Sequence, residues 1–196
     1  MSGRLLIAGV GNIFLGDDGF GVEVANRLTS VDLPEWVDVA DYGIRGMHLA
    51  YDLAGGYNSA ILLDATARGG APGMIYVVEP DLESPMAAAG DEAALAANPM
   101  FNAHGMQPDV VLSMLGMLEA EHAVDSRIQG AEARRILIVG CEPSSVDYGI
   151  GLSAPVAAAV DEAVKVVLDL VAAAGRSGED HRLITKEWAH VPRHSG

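Results

Sequence analysis

The chain of 196 residues has one cysteine and no long apolar run. The single thiol, Cys141, excludes an internal disulfide and a zinc site built from several thiolates, and it suits a reducing compartment. The richest apolar stretch, residues 156–174, is interrupted by charged side chains, and the amino terminus is a poor signal peptide. We therefore expect a cytoplasmic protein that does not span a membrane.

Basic side chains are also scarce, because 12 Lys and Arg stand against 27 Asp and Glu, giving a formal net charge of −15. Such a surface repels nucleic acids and anionic membranes, so neither is an expected partner. A charged partner would have to present cations or a basic segment. Half of the residues are hydrophobic, which is enough for one large core, and we expect a monomer.

Apolar periodicity predicts the order of the secondary-structure elements. Strands are predicted at residues 5–10, 37–40, 60–63, 74–79 and 135–140. Helices are predicted at residues 43–57, 108–121 and 155–174, and after the first strand in a segment that includes Val22 and ends at Leu28. The short link between the third and fourth strands favours an antiparallel neighbour. This order predicts an α/β fold, a three-layer αβα sandwich with a mostly parallel, mixed sheet of about five strands.

The turn after the first strand carries two adjacent carboxylates, Asp17 and Asp18. A glycine-rich turn at this place usually favours phosphate binding, but two aspartates would repel a pyrophosphate. The dinucleotide fingerprint also fails on spacing, because its third glycine would fall on Phe14. One of the two aspartates is expected to be the N-cap of the first helix, which leaves the other available for a cation.

Other carboxylates follow predicted strands. Asp41 follows the second strand, Asp64 the third and Glu142 the last. Carboxyl ends of parallel strands meet at one edge of a sheet, where open α/β folds bind ligands, so Asp18 and Asp64 are expected at the same rim. In the alternative, Asp64 only caps the turn that follows it.

The run GVGNIFLGDDGFG, residues 9–21, resembles the amino-terminal motif of the hydrogenase maturation proteases. These endopeptidases trim the C-terminal extension from the large subunit of NiFe hydrogenases. Residues 41–46 resemble the family pattern Asp-Gly-Gly-Thr-x-Gly, with Tyr42 and Ile44 departing from it, and residues 140–143 and 151–155 resemble two later motifs. The resemblance implies one peptidase domain over residues 1–175, followed by a polar tail, 176–196, that we expect to be disordered.

His104 precedes the helix predicted at 108–121 and lies in a glycine-bounded loop. A lone loop histidine is more often an ordinary surface residue. The family, however, carries its third metal-contacting residue at the matching place. Asp18, Asp64 and His104 would then form a set of two carboxylates and one imidazole, which suits nickel or zinc. Such a set could hold a permanent metal that activates water, or it could recognise a metal that arrives in the substrate.

The resemblance implies the second role, so the leading hypothesis is an endopeptidase acting on a nickel-loaded large-subunit precursor. Asp18, Asp64 and His104 are its predicted catalytic and metal-contacting residues, with the nickel carried by the substrate. A Gly-x-Ser-x-Gly motif is absent, and Cys141 is expected to be an inert core thiol. Two alternatives remain: a dinucleotide-binding Rossmann-like module using Gly9, Gly11 and Asp41, and a non-catalytic nickel-binding maturation factor.

Overall fold

The computed structural model describes residues 3–80, 111–112, 115 and 135–176. Within these ranges the elements follow the predicted order: β1 (Leu5–Val10), α1 (Phe20–Leu28), β2 (Val37–Gly43), α2 (Gly46–Gly56), β3 (Ser59–Ala65), β4 (Ile75–Val78), β5 (Arg135–Cys141) and α3 (Ala154–Arg176). One 3-10 turn, Gly16–Gly19, joins β1 to α1. None of the described helices is long and apolar enough to cross a membrane.

The five strands form one mixed sheet in the order β2-β1-β3-β5-β4. The pairs β1–β2, β1–β3 and β3–β5 are parallel, whereas β4 runs antiparallel to β5. The prediction of one antiparallel strand is therefore confirmed. Its neighbour is β5 rather than β3, because β5 pairs with β3 along seven residues and leaves β4 at the edge of the sheet.

Alternation along the strands divides the apolar side chains between two core layers, as expected for a sheet covered on both faces. One layer joins β1, β3 and β5 to α1 and α3, with Ile7, Ile61, Leu63, Val139, Phe20, Val160 and Val167 among its members. The other joins the same strands to α2 and to helical residues 111, 112 and 115, with Leu6, Ala8, Leu62, Ile138, Leu49, Leu53 and Val111 among its members. The predicted three-layer arrangement is confirmed.

Glycines let the start of α1 pack directly onto the sheet. A Cβ on Gly21 would lie 2.0 Å from the Leu63 carbonyl oxygen and 2.5 Å from that of Val10. A Cβ on Gly9 would lie 2.5 Å from the Gly21 carbonyl oxygen. No side chain fits at such distances, so the glycines of the motif serve close helix–strand packing and hold the turn before α1 against the carboxyl ends of β1 and β3.

The last helix is slightly longer than predicted. It begins one residue before Pro155, with the Ser153 carbonyl accepting the first helical hydrogen bond from the Ala157 N–H, and it continues through Gly175 to Arg176. Pro155 therefore lies in the first turn, as its fixed φ favours. The tail beyond residue 176, like most of the helix predicted at 108–121, lies outside the described residues.

Candidate active site

The sheet has a topological switch between β1 and β3. β2 pairs with the outer edge of β1, whereas β5 and then β4 lie beyond the opposite edge of β3. Open α/β sheets form a ligand crevice at the carboxyl ends of the two strands where the order reverses. Asp18 lies in the turn that follows β1, and Asp64 is the next-to-last residue of β3. The structure therefore brings these two predicted site residues to the same end of neighbouring strands.

Asp18 is held by the backbone of its own turn. Its Oδ2 accepts a hydrogen bond from the Asn12 N–H at 2.6 Å. The turn folds back so closely that a Cβ on Gly11, whose φ is +121°, would lie 1.9 Å from the Asp18 carbonyl oxygen. The amide that a bound phosphate would use in a dinucleotide-binding fold thus already has a carboxylate partner. This geometry disfavours the dinucleotide hypothesis.

Asp64 belongs to the sheet and not to the turn that follows it. It pairs in register with Gly140 of β5, and only 6% of its surface is exposed. Alternation puts it on the same face of β3 as Ala60 and Leu62, the face covered by α2. The Thr66 hydroxyl lies 3.5 Å from Asp64 Oδ2, at the outer limit of a hydrogen bond. Because Asp64 lies inside β3, its position does not fit the alternative in which it only caps the turn that follows.

Asp17 is buried in the protein, where it is only 1% exposed. The prediction that one of the two aspartates caps the first helix is wrong, because the N-cap of α1 is Gly19 and no side chain caps it. Asp17 instead accepts hydrogen bonds from the residues that follow β5. Burial raises the pKa of its carboxyl, but the hydrogen bonds from Ser153, Ser144 and Ser145 outweigh burial and hold the pKa below its usual range.

Glu142, the carboxylate that follows β5, is also held by hydrogen bonds from other parts of the protein. Its carboxylate accepts hydrogen bonds from the Arg68 N–H at 2.8 Å, the Gly69 N–H at 3.1 Å and the Tyr76 hydroxyl at 2.7 Å. Burial raises its pKa, but these donors together lower the pKa below the usual value. Glu142 therefore fixes the turn that leaves Asp64, a role that the sequence did not reveal.

Cys141, Asp41 and His104 complete the predicted candidates. Cys141 is fully buried, and burial raises the pKa of its thiol to about 12, which confirms that it is not a reactive nucleophile. Asp41 is exposed at the end of β2, opposite Gly9 of β1. His104 lies outside the described residues, and within the described ranges no three His, Cys, Asp or Glu side chains group as metal ligands.

Comparison with known proteins identifies the family. The family model described as hydrogenase maturation protease matches residues 22–170, about three quarters of the chain. This chain belongs to the hydrogenase maturation protease family. It is similar to the hydrogenase 2 maturation protease of Escherichia coli, with 32% identity over 84% of this chain and 88% of that protein. It is also similar to the hydrogenase expression/formation protein HoxM of Azotobacter vinelandii, with 29% identity over 92% of this chain and 80% of that protein.

Solved structures of hydrogenase maturation proteases share the fold. The hydrogenase maturating endopeptidase HybD from E. coli matches with a TM-score of 0.63 and 28% identity, covering 88% of this chain and 94% of that chain. A hydrogenase 2 maturation peptidase from a Thaumarchaeota archaeon matches with a TM-score of 0.58 and 28% identity, covering 86% and 97%. The chain is accordingly a hydrolase and an endopeptidase, as the resemblance of residues 9–21 implied.

Proposed function

We propose that this hydrogenase maturation protease removes the C-terminal extension of a nickel-loaded NiFe-hydrogenase large-subunit precursor, with Asp18, Asp64 and His104 contacting the nickel that the substrate carries. The observation that carries the proposal is that Asp18 and Asp64 lie at the carboxyl ends of β1 and β3, the two strands at the switch point of the sheet. Family membership supplies the reaction class.

The position of His104 in the sequence is compatible with this set. His104 precedes helical residues Val111 and Leu115, whose buried side chains pack in the layer that contains Ala60 and Leu62 of β3. Asp64 lies on that same face of β3. In the sequence His104 stands seven positions before Val111, and this short separation from a residue packed on the face of Asp64 supports the proposal for His104.

The donor types fit a metal that belongs to the substrate. Two carboxylates and one imidazole suit a borderline divalent ion, and three ligands leave coordination positions for the groups that the precursor itself supplies. Nickel held in this way would orient the precursor. Hydrolysis then adds water across the scissile C–N bond, and a carboxylate at the rim is the natural class of general base.

The composition supports the remaining features of the proposal. A net charge of −15 favours a partner that presents a metal cation or basic segment. We further propose that the protein acts as a monomer in the cytoplasm, a compartment in which its single thiol, Cys141, stays reduced. Residues 1–175 are proposed to form the peptidase domain, and the tail, 176–196, is proposed to be dispensable for cleavage.

The proposed site is tested with the single variants Asp18→Ala, Asp64→Ala and His104→Ala. Each should fold and leave the nickel-loaded precursor uncut, because each removes one proposed contact to the substrate's metal. Asp32→Ala is the matched control, since it removes an exposed carboxylate from the link between α1 and β2, away from the carboxyl ends of the strands. The measurement is the fraction of precursor shortened, followed by gel mobility. Normal processing by all three site variants would overturn the assignment.

A further inference from the structure

The carboxylate of Asp17 is a buried anion held by four neutral donors. Oδ2 accepts from the Ser144 N–H at 2.7 Å, the Ser145 N–H at 3.1 Å and the Ser153 hydroxyl at 2.9 Å. Oδ1 accepts from the Ser153 N–H at 2.6 Å. With only 1% of the residue exposed, these donors replace the water that a carboxylate would otherwise bind.

These hydrogen bonds join the turn that carries Asp17 to two segments that lie 127–136 positions further along the chain. They connect the turn before α1, the residues that follow β5 and the start of α3. The backbone reinforces the same junction, because the Asp17 N–H donates to the Ser145 carbonyl at 3.1 Å and the Gly16 N–H to the Gly149 carbonyl at 3.0 Å. The Gly149 N–H in turn donates to the Phe14 carbonyl at 2.9 Å.

The junction holds the residue that immediately precedes Asp18. On one side, Asp18 is bound to the Asn12 N–H and its carbonyl lies over Gly11. On the other side, the preceding residue is tied to residues 144–153. The two adjacent carboxylates therefore have different environments. Asp17 is buried against three backbone N–H groups and the Ser153 hydroxyl, whereas Asp18 is partly exposed at the rim.

We propose that Asp17 is a positioning residue for cleavage: its buried carboxylate holds the turn before α1 against residues 144–153 and so fixes Asp18 in its working position. This role rests on the proposed function of Asp18. A misplacement of about 1 Å in a catalytic group can cost about a hundredfold in rate, so a loosened junction should lower kcat. KM should change little, because Asp17 is only 1% exposed and so does not itself bind the precursor.

The test compares three full-length variants by the kcat and KM for cleavage of nickel-loaded precursor. Asp17→Asn keeps the shape but sets an amide N–H against the backbone donors, and kcat is expected to fall by roughly tenfold to a hundredfold. Ser153→Ala removes one of the four donors and should lower kcat by a smaller factor. Asp147→Asn is the control, because it removes a charge from the same segment, and that carboxylate accepts a hydrogen bond from the Ser145 hydroxyl rather than holding Asp17.

The outcomes separate this role from the proposed function. A wild-type protein that leaves the precursor uncut refutes the proposed function and this role with it. If the wild type cleaves the precursor and Asp17→Asn has a lower thermal stability but the same kcat, the Asp17 carboxylate is purely structural. This result refutes the positioning role alone. If Asp17→Asn fails to fold, Ser153→Ala decides, and an unchanged kcat in that variant overturns the proposal.

Discussion

Gly11→Ala should damage both the stability and the activity of the protein. Gly11 has a φ of +121°, a region that side chains rarely adopt, and an added Cβ would lie 1.9 Å from the Asp18 carbonyl oxygen. Real Cβ atoms stay beyond 3.0 Å, so the Asp18 main chain must move by at least about 1 Å. Backbone strain of about 1–3 kcal/mol and a similar cost of overpacking apply together.

The predicted result is a loss of about 2–6 kcal/mol in the free energy of unfolding, measured by urea denaturation. Cleavage of the precursor should slow by about a hundredfold under conditions where the variant remains folded, because Asp18 is displaced. Gly149→Ala is the matched control, since Gly149 is bonded to the same turn but an added Cβ there meets nothing within 4 Å. A Gly11→Ala variant with stability and cleavage like those of the control would refute the described geometry of the turn.

Two further predictions concern the carboxylate Glu142 and the dinucleotide hypothesis. Because hydrogen bonds lower the folded-state pKa of Glu142, its contribution to stability should be complete above the ordinary value of 4.5 and should be lost as pH falls through the folded-state pKa. Urea denaturation at several pH values gives the difference in unfolding free energy between the wild type and Glu142→Gln. This difference should be largest near neutrality and should shrink in acid. A difference that grows in acid would contradict the hydrogen bonds described for the Glu142 carboxylate. NAD or FAD at millimolar concentration should leave the thermal midpoint unchanged, because the Asn12 N–H already binds Asp18. A midpoint that rises with cofactor concentration would reinstate the dinucleotide hypothesis.

Local pattern was sufficient to predict most of the fold. Apolar periodicity indicated the strands and the three-layer arrangement, and the two core layers bear this out. The short link before β4 indicated an antiparallel strand. The neighbour of β4 was not predictable, because strand order depends on the competition between β4 and β5 for the open edge of β3, which involves pairing across many residues.

The candidate site was predictable only in part, for a similar reason. Asp18 and Asp64 follow buried strands, so the rule for carboxyl ends brought them to one crevice. Nothing local distinguishes Asp17 from Asp18, and a helix cap was the natural prediction for one of them. The partners of Asp17 lie 127–136 positions along the chain, and those of Glu142 lie 66–74 positions away. Only the folded arrangement of the loops separates the inward carboxylates from the one at the rim.

In the proposed mechanism, cleavage requires that Asp18, Asp64 and His104 contact the nickel of the substrate. The most direct measurement is mass spectrometry of a NiFe-hydrogenase large-subunit precursor after incubation with the protein, with nickel-loaded and nickel-free precursor in parallel. We expect loss of the C-terminal peptide only from the loaded form, and the same result when residues 176–196 are deleted. Equal cleavage of both forms would show a peptidase that does not sense nickel and would refute the proposed role of the metal.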